Sequence, residues 1–408
     1  MPGRPTLAPF RVAFTVVLIA AMALTGSPRS LRGLDGAVRT ARGPALSRAV
    51  YNLGVVGNGF GPKLTTLDHR RPAWVAGIHG NVVQIATSNS DSYALTASGA
   101  VWAWGAGRTG ELGDGSTVAW ASAPVEVAFP AGVRIVALAN PMPYDSALAV
   151  DASGHVWGWG FNVDHTLCLP RPKVLVPTRL PLSAVTLATG AGNHSLFYAG
   201  RRVYACGMGA DGELGDGSTA AAALPRRVVG LPTGPVRALV SSWQGSGALM
   251  ANGSYFDWGF NREGQLGDGL RTNSDVPVPV RLPAPVRQVY QGGSRPTNGQ
   301  TLALLRNGSV WAWGSGSLGQ LGVGSRSSSS RPVPVAFPGG VRIESVCSGG
   351  DSSYALDAAG TLWAWGGNEF GQLGNGGTRL TLRPARVAVA WTQVSATATN
   401  VAGLGRRT

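Results

Sequence analysis

Three segments carry the Gly-x-Gly-x-x-Gly spacing that can cradle a dinucleotide pyrophosphate: 105–110, 207–212 and 314–319. That chemistry also needs a helix N-terminus directly after the glycines, to aim amides at the phosphates. Here the next residues are Glu-Leu-Gly-Asp-Gly or Gln-Leu-Gly-Val-Gly, which cannot open a helix. No cofactor is expected. Asp114, Asp216 and Asp268 recur in the same loops. A calcium ion needs several converging oxygens, and each loop offers one carboxylate at an equivalent place. These Asp side chains are therefore expected to accept backbone amides within tight turns, with no metal bound. The five His, at 69, 79, 155, 165 and 194, show neither metal-ligand spacing nor a nucleophile partner in a recognisable motif. The chain is read as a non-enzyme, a hydrolase using His194 or His155 being a distant alternative. Three Cys is an odd number, which argues against a disulfide framework. Cys168, Cys206 and Cys347 are expected to serve as small buried hydrophobes, with a Cys168–Cys206 bridge between adjacent repeats as the alternative.

Composition bounds the class. Sixty Gly and 27 Pro accompany an apolar content of 44%, enough for a large core, while charged residues are only 13%. This is the balance of a turn-rich β protein and not of a disordered chain. The formal net charge is +14, which suits an acidic partner or an envelope surface. The Arg are not clustered with interleaved aromatics, so nucleic acid is not an expected partner. Arg4 and Arg11 precede a thirteen-residue apolar run, Val12 to Leu24. The run is short for a bilayer but right for an export signal. Residues 1–26 are read as a signal peptide, with an uncleaved anchor as the alternative, and 27–46 as a basic linker. The remaining protein is expected to be secreted or extracellular, without a membrane span, and monomeric.

These candidates have to be positioned by something periodic. A short motif returns every 47 to 55 residues: VYNLG ending at Gly54, VWAWG at Gly105, VWGWG at Gly160, VYACG at Gly207, YFDWG at Gly259, VWAWG at Gly314 and LWAWG at Gly366. Two apolar alternating runs precede each full copy, separated from the motif by ASG, Asn-Gly or AAG. Asn-Gly at 252–253 and 307–308 predicts type I′ hairpins. The motif makes a third strand, and Pro-flanked runs such as 124–127 and 277–280 make a fourth, where Pro is tolerated on an outer edge. Trp102 and Trp104, Trp157 and Trp159, Trp311 and Trp313, Trp363 and Trp365, with Trp258, are the expected repeat core. Seven copies predict an all-β, seven-bladed propeller of four-stranded antiparallel blades over 47–408. The run 391–396 resembles a first strand and 401–404 a second, while the chain enters the repeat at a third strand. One blade is thus expected to be shared between the two termini.

The pattern Gly-x-Leu-Gly-[Asp/Asn]-Gly at 110–115, 212–217, 264–269 and 371–376, with the variant 319–324, stands beside Trp-x-Trp-Gly at this period. Together they resemble the regulator-of-chromosome-condensation repeats. The resemblance implies a seven-bladed propeller closed by both termini. It also implies functions that differ between members: guanine-nucleotide exchange on a chromatin-linked small GTPase, or, in a secreted bacterial member, inhibition of β-lactamase through one propeller face. The family often places His before the second strand; here Asp91, Ser146, His194, Gly245, Gln300, Ser352 and Asn400 hold that place, and only His194 keeps it. Exchange activity is accordingly disfavoured.

First-to-second and third-to-fourth strand loops emerge at one end of such blades. They carry Trp120, Met142, Tyr144, Trp243 and Arg295, residue types that dominate interface energies. The expected function is a secreted scaffold that docks an envelope or extracellular protein through this rim, an inhibitory role included. A carbohydrate or cell-wall binding module using the same Trp is the alternative.

Overall fold

The computed structural model describes residues 49–55, 68–88, 91–139, 142, 145–293, 299–369, 371–396 and 400–405. The signal segment, the linker, Tyr144 and Arg295 lie outside them. The described chain is all strands and turns. Among these residues no helix is long and apolar enough to cross a membrane.

The first sheet shows the repeating unit: Val82–Thr87, Asp91–Thr96, Val101–Ala106 and Trp120–Glu126, each antiparallel to the next. Four more four-stranded sheets follow at 135–179, 185–227, 236–280 and 286–334. The second strands are buried along their whole length in most sheets, as at Ser146–Asp151 and Gln300–Leu305. The fourth strands stay half exposed, as at Ser329–Pro334. This gradient explains why prolines collect on the fourth strand, where one backbone edge faces solvent.

The expectation of seven blades is corrected: the strands form six hydrogen-bonded sheets. The sixth has seven strands, because Thr381–Ala396 runs unbroken for 16 residues. Its first half pairs with Thr361–Gly366 and its second half with Asn400–Gly405. Elsewhere a connection bearing Pro, Gly or both, such as Phe129-Pro130-Ala131-Gly132, ends one sheet before the next begins. Between Pro384 and Gly403 the sequence has neither residue, so nothing interrupts the strand. In the same sheet Ala49–Val55 pairs with Asn400–Gly405, from Ala49 opposite Gly405 to Gly54 opposite Asn400.

The hairpins also depart from the type I′ expectation. At 250–254 the Gly253 amide donates to the Met250 carbonyl at 2.9 Å, and Gly253 alone has positive φ, at 96°. This is a three-residue hairpin ending in a glycine bulge. Only the third sheet has two adjacent positive φ values at its turn, Gly200 at 53° and Arg201 at 65°. These second-to-third turns and the connections between sheets emerge at one end, called here the hairpin end. The first-to-second and third-to-fourth connections define the opposite, loop end.

Neighbouring sheets are locked by the second Trp of each motif. Trp159, Trp258, Trp313 and Trp365 are fully buried, whereas Trp102, Trp157 and Trp311 are half buried. The Trp159 indole donates to the Glu111 carbonyl, Trp258 to that of Glu213, and Trp365 to that of Gln320, each at 2.9 Å across a sheet boundary. Gly215 lies flat against Trp258 with φ 65°, and a Cβ there would come within 2.6 Å of the indole nitrogen. Only glycine fits that seat. Between the second and third sheets both partners change: Cys206 stands in place of the Trp and Cys168 in place of the Gly. They form a disulfide with Cα atoms 5.5 Å apart. The reading of these two as reduced hydrophobes is corrected, while Cys347 is a free, buried thiol.

Candidate partner-binding site

At the loop end the chain presents glycine-rich connections whose carboxylates are spent locally. Asp114 accepts the Ser116 amide at 2.9 Å, Asp216 the Ser218 amide at 3.0 Å, and Asp268 the Leu270 amide at 2.9 Å. Each closes a tight turn, the geometry in which Asp is favoured for its short acceptor arm. Among the described residues no three His, Cys, Asp or Glu side chains are grouped to hold a metal.

Of the large residues singled out on these loops, two stand at the surface. Trp120 opens the fourth strand of the first sheet and is half buried, as is Trp243 in the fourth sheet. Met142 is instead packed into the core with 3% exposure, and its sulfur accepts the Leu148 amide at 3.4 Å. It contributes packing, not contact area. Trp120 and Trp243 belong to different sheets and do not form one patch.

Trp243 borders a small recess of about 20 Å³, room for a water molecule, that opens between the fourth and fifth sheets. Its wall holds residues that sequence reasoning missed. Asp257 sits where other copies of the motif have Ala or Gly, as at Ala103, Gly158 and Ala312. Gly247 sits where Tyr93 and Tyr354 stand, and the Tyr255 phenol fills the vacated space. Gln291, from the next sheet, donates to Asp257 Oδ1 at 2.6 Å and to the Tyr255 hydroxyl at 3.1 Å. Tyr255 in turn donates to Asp257 Oδ2 at 3.3 Å. Burial pushes the Asp257 carboxyl well above its usual range, against the opposing hydrogen bonds, and burial beside Asp257 raises the Tyr255 phenol. The signal was in the sequence: YFDWG is the copy with a carboxylate inside the motif. At the same recess Gln244 Oε1 and Gln291 Oε1 have no hydrogen-bond partner. Buried acceptors of this kind favour a donor brought by water or by a ligand.

His194 lies fully buried with Nε2 at 2.7 Å from Ser246 Oγ. The Ser246 hydroxyl donates to the Glu213 carbonyl at 2.8 Å, so the imidazole donates to the hydroxyl. That direction is opposite to a base drawing a proton from a nucleophile. Burial lowers the His194 imidazole to about 4. His155 closes its own hairpin, with its ring 3.1 Å from Asp151. The pair serves the sheet and not a reaction centre.

The profile of the regulator of chromosome condensation (RCC1) repeat matches residues 98–139, 202–249, 252–294, 307–356 and 359–403. The ultraviolet-B receptor UVR8 of Arabidopsis thaliana is 30% identical over 67% of this chain and 61% of its own length. The human E3 ubiquitin-protein ligase HERC2 is 29% identical over 75% of this chain but only 6% of its own. The chain thus spans less than two thirds of these relatives. Among solved structures, human WBSCR16 superposes with a TM-score of 0.75 at 21% identity, covering 88% of this chain and 99% of that one. Yeast Prp20p, described with its binding to Gsp1p and histones, superposes at 0.73 and 21% identity over 89% and 93%. At such identity these two likenesses speak to the fold alone.

Proposed function

From the fact that this chain belongs to the regulator-of-chromosome-condensation repeat family, we propose that it is a binding scaffold that docks a partner protein at the loop end around Trp243. The observation that carries this reading is the recess beside Trp243, where two buried glutamine oxygens lack hydrogen-bond donors. A half-buried aromatic next to unsatisfied acceptors is the combination on which interface hot spots are built. Prp20p, described as binding Gsp1p and histones, shows that a propeller of this shape can serve proteins. The mechanism is shape-complementary docking without a covalent step. The N-terminal basic and apolar segment supports export, which makes an extracellular or envelope protein the partner, held or blocked by the scaffold.

The test is capture of partners on the immobilised full chain, compared with a Trp120→Ala/Trp243→Ala variant of unchanged melting temperature. A discrete protein retained by the parent and lost by the variant is the expected result. Equal retention by both refutes the assignment of this end. Retention of insoluble wall material in place of protein moves the function to carbohydrate binding. Finding the N-terminal 26 residues on the mature protein overturns the cleaved signal.

A further inference from the structure

The charges of the sheets are sorted by end. Between Asp151 and Glu344 no carboxylate lies in a hairpin turn or in a connection between sheets: the acids of this span lie in third-to-fourth connections, in a fourth strand as Asp275, or in a third strand as Asp257, and Asp216, which reaches back along its sheet, is already paired with Arg226 at 3.2 Å. Arginines do lie there. Arg179 and Arg227 finish the fourth strands of the second and third sheets, and Arg281 follows that of the fourth. Arg201 lies in the hairpin turn of the third sheet, and Arg202 opens the strand after it. All five are exposed. None of their guanidinium groups makes a hydrogen bond, ion pair or ring contact with another described residue. Further round the same end the arginines are occupied. Arg287 and Arg342 share Glu344 at 2.8 and 3.0 Å, and Arg306 donates to the Ala251 carbonyl at 3.0 Å. Free guanidinium groups thus form an arc over three consecutive sheets.

A groove of about 520 Å³ opens along the same stretch, between the second and third sheets. Its walls are Leu169, Pro170, Leu180, Pro181, Leu182 and Leu224, with Arg179 on the rim and Cys168 of the disulfide beneath. Leu224 keeps 59% of its surface exposed, a large aliphatic side chain left without cover.

We propose that this groove and the arginine arc form a second docking surface, for an acidic amphipathic segment of a partner protein. Its apolar side chains enter the groove and its carboxylates meet Arg179 and Arg227. The charge complementarity is one-signed and the guanidinium fork matches a carboxylate in two bonds. A duplex phosphate backbone gains nothing from walls of Leu and Pro, and no aromatic platform lines the groove for base stacking. A flat lipid surface cannot reach the apolar walls of a concave seam. This surface lies between the second and third sheets, whereas the Trp243 recess lies between the fourth and fifth, so it stands independently of the docking proposed there.

The experiment uses the purified full chain and a fluorescein-labelled peptide of alternating Glu and Leu, read by anisotropy. Labelled duplex DNA and vesicles containing phosphatidylglycerol are titrated in parallel. The expected result is saturable peptide binding that weakens with salt, and that drops at least about tenfold in Arg179→Glu/Arg227→Glu and in Leu224→Asp. All three positions are exposed, so the variants should melt as the parent does. Trp243→Ala should bind the peptide unchanged, which separates this surface from the recess beside Trp243. Absence of peptide binding, equal binding by the groove variants, or tighter binding of DNA or vesicles overturns the proposal.

Discussion

Replacing Cys206 by Ser opens the covalent link that substitutes for the Trp–Gly seat between the second and third sheets. The bridge closes a loop of sequence separation 38. Chain-entropy reasoning for a loop of that length gives a loss of about 4 kcal/mol. Spread over a propeller of this size, at roughly 2 cal/mol/K per residue, that is a fall of about 5 °C in melting temperature. The stronger experiment is the double variant Cys168→Gly/Cys206→Trp, which rebuilds the seam as the other sheets have it. Cys168 already holds φ at 50°, close to the 65° of Gly113 and Gly215 at the same place, so glycine relieves a strained backbone there. The assay is thermal unfolding by circular dichroism with and without reductant, alongside thiol labelling and mass spectrometry. The parent should lose stability on reduction, and the double variant should recover most of it and ignore the reductant. Labelling of Cys168 and Cys206 in the unreduced parent, or a melt indifferent to reductant, refutes the reasoning.

Two further outcomes test the packing. Gly215→Ala should cost about 2–4 kcal/mol, from the left-handed backbone and the clash with Trp258, whereas Gly340→Ala, with φ of 80° and nothing within 4 Å, should cost only about 1 kcal/mol. Equal urea midpoints for the two would sink the seat argument. The His194 imidazole is lowered from 6.5 to about 4 by burial, so the unfolded chain binds the extra proton between those values. The neutral histidine's contribution is therefore whole above pH 6.5 and fades as pH falls toward 4, by about 3 kcal/mol. His194→Gln, a residue already accepted at the equivalent Gln300, should flatten that part of the stability profile relative to the parent. Identical pH profiles would show that His194 does not titrate between the two states.

The four-stranded antiparallel meander was legible because it is written in a local, repeated pattern: alternation, turn residues and a motif of fixed spacing. The same repetition misled on the blade count. Seven motif copies gave six sheets, because whether two neighbouring sets merge depends on the strand running unbroken from Thr381 to Ala396, a property of a connection and not of the motif. Departures from the repeat carried the rest. Asp257, Gly247, Cys168 and Cys206 were each visible as exceptions, but an exception does not say what it touches. Only the tertiary fold brings Tyr255 into the space beside Gly247, sets Gln291 from the next sheet against Asp257, and closes Cys168 on Cys206. The sorting of arginines to one end is of the same kind. Net charge follows from composition, whereas which charges face one another is decided by strand direction, which sends residues near in sequence to opposite ends of the molecule.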